Sequence, residues 1–408
     1  MTAQDASAVP LTGETISVTS LWGGSEQVVP EGARRVHRQD RHRGQLRIIP
    51  DGLRVTVLQS RIAGGNPPDV SILPGIGFLR RFAKDGSIET IQGAGPRPRG
   101  HRGELPPGTL EVGKVAGELY ALMVKFNSRA RCGTDPTASS AGGDAASRLG
   151  RVRGGPRRHQ GGRRWRPRAG CRRGDDWTLT DWFESIYIRQ AGPDKYDQLF
   201  SGALPWTDQS VLDAIATMQT VLNDDLVAGG ISAALGRGFV DGIGQVFSAS
   251  PVADVYYEGG FVGGIATGQV NTALEPGKTI DWFDFPSING GDGVTIGGDV
   301  IAALTTNPGV KEFVEYMTTP ESGDVWAATG AIISPILGVN PDVYPNELVK
   351  KEAAQVAGAS AVRFDGSDLL PASAPSLGAL LQSAISGQDV APLLASFEEQ
   401  VQAAWANE

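Results

Sequence analysis

Cysteine is nearly absent. Two residues in 408, Cys132 and Cys171, cannot make a disulfide framework and say little about the compartment. Histidine is almost as scarce, with four residues, and its spacing with cysteine fits no zinc pattern. There is no Gly-x-Ser-x-Gly elbow, so no hydrolytic triad can be assembled. The run Gly290-Gly291-Asp292-Gly293 lacks both GxGxxG spacing and a Walker lysine, which argues against phosphate cradling. No stretch approaches the roughly 18 to 20 uninterrupted apolar residues of a membrane helix. The N-terminal MTAQDASAVPLTGET lacks a basic segment followed by an apolar one, so no secretory signal is expected in this chain. No internal repeat is found.

What the chain has in excess is arginine, and it is unevenly placed. Residues 28–50, 93–110 and 129–174 hold 22 of the 37 basic residues, no lysine, and only five acids. All four histidines (His37, His42, His101, His159) and both cysteines lie in these segments. The remaining chain carries 15 basic and 40 acidic residues. A nucleic-acid arm mixes lysine with arginine and interleaves aromatics, whereas Trp165 is the single aromatic residue of the three segments. The texture fits translation of short out-of-frame stretches of a GC-rich coding sequence; a disordered linker and a nucleic-acid arm are the other readings. The acidic body suits a neutral or cationic small ligand and not nucleic acid.

The length suffices for two domains, and an apolar content of 40% suits a globular protein. ISVTSLW (16–22) alternates as a strand, and Asp69 to Leu73 reads as a short buried strand followed by a helix from Phe78 to Asp85 that stops at Gly86. Ala121 to Phe126 predicts a strand, Thr180 the cap of a helix ending at Gly192-Pro193, and Val211 to Leu222 a second helix. Short elements are expected at Ile243–Phe247 and Val252–Tyr257, with strands at Ile280–Phe285 and Val294–Leu304. Helices follow at Val310–Met317 and, capped by Thr319 with Pro320 in the first turn, at Glu321–Thr329. The last helix places Val390, Leu393, Leu394, Phe397 and Val401 on one face.

Carboxylates pair at Asp175/Asp176 near Asp181, and at Asp365 near Asp368. A glycosidase needs two such groups flanking one bond, although pairs of this kind more often cap helices. Aromatics stand beside polar groups at strand ends and turns: Trp22 with Ser25-Glu26-Gln27, Trp177 with Asp181, Tyr256-Tyr257-Glu258 with Phe261, and Arg363-Phe364-Asp365. A pyranose presents an apolar face and a rim of hydroxyls, and this combination answers both.

Eight collinear stretches carry a resemblance: ISVTSLWGGSEQ (16–27), GGNPPDVSILPGIGFLRRFAKDGSIETI (64–91), VAGELYALMVKFN (115–127), DWTLTDWFESIYIRQAGPDKYDQLFSG (176–202), VYYEGGFVGG (255–264), VTIGGDVIAAL (294–304), PGVKEFVEYMTTPESGDVWAATGAIISP (308–335) and VRFDGSDLLP (362–371). Together they resemble the extracellular solute-binding proteins of sugar ABC transporters (family 1), in particular the α-glucoside and maltose-type binders. The resemblance implies an α/β fold of the periplasmic-binding-protein type II, with two lobes, a hinge and a central ligand cleft. It implies a first lobe of residues 1–125 and 287–319 and a second of 126–286 and 320–408, with crossings near Lys125–Ser128, Phe285–Asn289 and Thr319. Positions matching the family's cleft are Trp22, Ser25, Glu26, Gln27, Leu73, Pro74, Gly75, Lys125, Trp177, Asp181, Glu258, Phe261, Gly298, Asp299, Arg363 and Asp365.

The function implied is capture of a carbohydrate, an oligosaccharide such as an α-glucoside, and delivery to ABC permease subunits, with hinge closure around the ligand. No catalytic residue, cofactor or metal is expected, nor a nucleic-acid partner, and the chain should be an extracytoplasmic monomer in a family with many lipoproteins. A glycoside-processing enzyme using the paired carboxylates is the alternative. Two departures stand out. The loop Ser373 to Leu381 lacks the family's usual aromatic, and the three Arg-rich segments fall where family elements belong.

Overall fold

The computed structural model describes residues 16–20, 45–48, 54–74, 76–91, 109–129, 131–134, 167–168, 176–328, 330, 332–336 and 338–407. The chain divides into two compact units, residues 1–126 with 298–345, and residues 127–297 with 346–408.

In the first unit, β1 (Ser17–Ser20) lies between two parallel neighbours, β2 (Gln45–Ile48) and β3 (Val70–Pro74), with Val18 opposite Leu46 on one side and Val70 on the other. The far edge of β3 pairs antiparallel with Asp299–Ala303 of β11 (Val294–Ala303). Val70 and Ile72 are completely buried, as a near-continuous apolar strand covered on both faces requires. They pack with Ile16, Val18, Leu122, Val124, Ile301 and Phe313 into one core. Asp69 locks the start of this sheet: its carboxylate accepts the Ser17 N–H at 2.7 Å and the Thr305 hydroxyl at 2.7 Å. The helix Leu79–Lys84 ends as expected before Gly86, whose φ of +64° is open to glycine. Thr319 accepts the Ser322 N–H and Pro320 opens the helix Pro320–Ala327.

The second unit holds a four-stranded sheet in the order β10 (Asp281–Asp284), β7 (Arg131–Thr134), β9 (Val255–Glu258), β8 (Pro167–Arg168). Beside it, Val294–Ile296 of β11 pairs parallel with β12 (Val362–Phe364). The helix Trp177–Gln190 runs through this unit with Thr178 to Arg189 buried. Thr180 was expected to cap it; the helix instead begins one turn earlier, and the Thr180 hydroxyl donates back to the Trp177 carbonyl at 2.7 Å. Leu179 is completely buried and Trp177 packs on Phe239 and Phe261, and that packing outweighs the local capping preference of threonine. Gly192, at φ +90°, ends the helix, and Pro193 opens the next one, Pro193–Phe200. An aromatic core of Phe183, Tyr187, Tyr196, Phe200 and Trp206 is closed by Phe397 of the last helix, Val390–Ala406.

The chain changes unit after Phe126, after Gly297 and after Pro345. The second and third of these differ from the crossings expected near Phe285–Asn289 and Thr319. β10 pairs along its whole length with β7, which holds residues 281–284 in the second unit, so the change comes within β11. Trp326 lies in the first unit's core and keeps the helix Pro320–Ala327 there. Parts of the Arg-rich segments enter sheets, as β2, β7 and β8. Among the described residues, no helix is long and apolar enough to cross a membrane.

Candidate functional site

In the first unit, four of the residues singled out from the sequence converge where β3 ends. Register places Pro74 opposite Asp299. Asp299 pairs with Lys125 at 3.6 Å, both side chains less than a tenth exposed. Gly298 lies so close to the Lys125 carbonyl that a Cβ there would stand 2.2 Å from its oxygen. Any larger residue would force these strands apart, and that explains glycine at this position. Trp22, Ser25, Glu26, Gln27 and Gly75 lie outside the described residues.

The second unit carries the richer cluster. Arg129, immediately after β6 (Ala121–Ser128), reaches Asp181 at 3.4 Å and Asp365 at 3.7 Å with its two terminal nitrogens. Its guanidinium also stands 5.6 Å from the Trp177 ring centroid and 5.3 Å from that of Phe261. Trp177, Phe239 and Phe261 form a three-ring face, with centroids 5.1, 5.9 and 6.1 Å apart, and all three remain partly exposed. One face of the unit thus offers flat apolar surface, backed by a cation that buried carboxylates hold in place.

Backbone contacts hold each member in position. The Tyr257 hydroxyl lies 2.6 Å from the Arg129 carbonyl, 2.8 Å from that of Asp181 and 2.7 Å from Ser185 Oγ, tying three segments at one atom. Glu184, fully buried, accepts the Tyr196 hydroxyl at 2.5 Å and the N–H groups of Gly366 at 2.7 Å and Ser367 at 2.9 Å. This fixes the turn that carries Asp365, whose own N–H donates to the Ile296 carbonyl at 2.8 Å. Behind Phe261, Glu352 accepts the Ser128 N–H at 2.7 Å and fills the space over Gly260, where a Cβ would meet its carboxyl at 1.9 Å.

Burial pushes the Asp181 carboxyl up to about 7; Arg129 opposes that shift and the neighbouring Asp365 adds to it. Burial, with Asp365 and Asp181 nearby, also raises Glu184 well above the carboxylate range. For Arg129 burial acts downward, but Asp181, Asp365, Glu258 and Asp368 outweigh it and keep the guanidinium charged.

Trp177, Asp181, Phe261 and Asp365 are therefore brought together around Arg129, and the Glu258 carboxylate acts electrostatically on the same cation. Arg363 is turned elsewhere, onto Asp197 at 2.6 Å. Two members went unread in the sequence. Arg129 opens the third Arg-rich segment, which carried no functional expectation. Phe239 starts the helix Phe239–Phe247, and its spacing with Ile243, Val246 and Phe247 is helical, a signal that would have extended the element expected at Ile243 by one turn. Of the carboxylates weighed for glycoside chemistry, Asp175 lies outside the described residues, Asp176 accepts the Ser376 hydroxyl at 2.6 Å, and Asp365 accepts the Ser367 hydroxyl at 2.7 Å and the Asp368 N–H at 3.4 Å.

No family model matches the chain. It is 25% identical over 322 residues to an osmoprotective-compounds-binding protein of Synechocystis sp., covering 78% of this chain and 75% of that one. It is 27% identical over 322 residues to an alpha-glucosides-binding periplasmic protein of Rhizobium meliloti, covering 75% and 69%. Among solved structures, a bacterial solute receptor with an exclusive preference for β-D-galactopyranose superposes with a TM-score of 0.77 at 18% identity, covering 95% of this chain and 98% of that one. Both relatives are named as binding proteins, the second as a periplasmic one, and the fold is the two-lobe α/β fold that the solute receptor shares.

Proposed function

We propose that this chain is the binding component of an ABC importer for a carbohydrate, an oligosaccharide such as an α-glucoside, held outside the cytoplasm and passed unchanged to permease subunits. The three-ring face of Trp177, Phe239 and Phe261 carries the reading: it supplies stacking for pyranose rings, with Asp181, Glu258 and Asp365 as acceptors of hydroxyl hydrogens beside it. Lys125 and Asp299, paired beside Pro74 and Gly298, are the first unit's own candidate polar contacts for a sugar. The similarity to an alpha-glucosides-binding protein supports the ligand class. The chain acts as a monomer, without cofactor or nucleic acid.

Titration calorimetry with maltose-type sugars tests this. Binding without release of reducing sugar is expected, and Trp177→Ala should weaken it by about 10- to 100-fold, the worth of one ring stacked in a desolvated site. Release of reducing sugar would instead favour the glycoside-processing reading, and unchanged affinity in the Trp177 variant would remove the ring face from the site.

A further inference from the structure

Away from the ring face, the second unit contains a groove of about 660 Å³ between the segment 233–245 and the π-turn Ala266–Val270. Four polar side chains line it: Arg237, Asp241, Gln245 and Gln269. Among the described residues none of the last three makes a side-chain hydrogen bond or ion pair, and the Arg237 Nη1 is shielded from solvent without a hydrogen-bond partner. A buried donor left unpaired costs about 1–3 kcal/mol, a cost that an acceptor on a bound molecule would offset. The opposite wall is a single turn of π-helix, a feature frequent at functional sites.

The lining also defines the occupant. One cation and one anion leave no net charge to recognise an ion. Arginine only donates, aspartate only accepts, and the two glutamines do both, which is the set that reads hydroxyl groups in either sense. Val240, 44% exposed and one of two large apolar residues so exposed among the described residues, joins Val270 as apolar surface for C–H groups. The groove is also of the size usual for small-molecule sites. The geometry points to a second binding site, distinct from the ring face, for a small neutral polyhydroxylated molecule, a polyol or a saccharide of one or two rings. Phe239 belongs to the ring face, whereas Val240 and Asp241 line the groove, so one helix serves both.

Saturation-transfer NMR and equilibrium dialysis of the full chain with sorbitol and with maltose test the assignment. Two classes of maltose site are expected, with sorbitol confined to the weaker. Trp177→Ala should weaken the tighter class by about 10- to 100-fold and leave the weaker unchanged; Arg237→Ala and, independently, Gln245→Ala should weaken the latter by about tenfold or more while sparing the former. Circular dichroism of each variant confirms its fold, and Gln245→Ala serves if the arginine variant fails to fold. A wild type whose single class is lost in the Trp177 variant and untouched by the Gln245 variant, or a weaker class untouched by the Gln245 variant, would overturn the second site. Loss of the tighter class from the wild type alone would count against the ring face and not against the groove.

Discussion

Replacing Arg129 with methionine removes charge and keeps most of the volume, which isolates the electrostatics of the cluster. The side chain holds Asp181 at 3.4 Å and Asp365 at 3.7 Å and stands over two rings. Removing one partner from a buried ion pair costs about 3–5 kcal/mol, and a desolvated cation over an aromatic ring adds about 1 kcal/mol. Arg129 retains 14% side-chain exposure, so the low end applies. The pH dependence follows from linkage. Asp181 titrates near 7 with Arg129 present. Without the cation its pKa rises further, so above pH 7 the variant's native state retains a proton that the wild type has lost. The loss should therefore be about 3 kcal/mol at pH 5, where Asp181 is already neutral, and should grow above pH 7 by up to about 1.4 kcal/mol per pH unit. Urea denaturation of wild type and variant between pH 5 and 9 measures it. A pH-independent loss would refute the coupling of Arg129 to Asp181, as would an equal pH dependence in a background carrying Asp181→Asn.

The raised carboxyl makes its own prediction. Because folded Asp181 binds a proton that the unfolded chain releases, wild-type stability should fall as pH rises from about 4 to about 7, and Asp181→Asn should flatten that fall in urea midpoints. Gly260→Ala should destabilise the chain by about 2 kcal/mol or more, since its methyl would overlap the Glu352 carboxyl; pairing it with Glu352→Ala should recover part of the loss, and a purely additive double variant would sink this reading. Reading the coding DNA in all three frames across residues 28–50, 93–110 and 129–174 should recover helix- and strand-patterned text if these segments are out of frame; unpatterned text in every frame would leave the Arg-rich segments as genuine protein sequence.

Local chemistry was legible where it is decided locally. The strand before Pro74, the stop at Gly86, the cap at Thr319 with Pro320 behind it, and the buried face of Leu394, Phe397 and Val401 all follow from side-chain spacing and backbone freedom. Thr180 shows the limit: it has the chemistry of a cap, but the packing of Trp177 and Leu179 extends the helix past it. The unit crossings show the same limit, because a change of unit within β11 depends on what each half of the strand pairs with and leaves no mark in its own residues.

Alternating strands, helix ends, an acidic body and the juxtaposition of aromatics with carboxylates were determined by the sequence alone. The tertiary structure decided which of those residues meet. Arg129 and Asp365 are 236 positions apart, and no local pattern couples them. They become neighbours because β11 brings β12 beside it while its Thr295 carbonyl accepts the Arg129 N–H at 2.9 Å. Ion pairing and ring stacking act over a few ångströms, so the cluster exists only once backbone pairing has closed those separations.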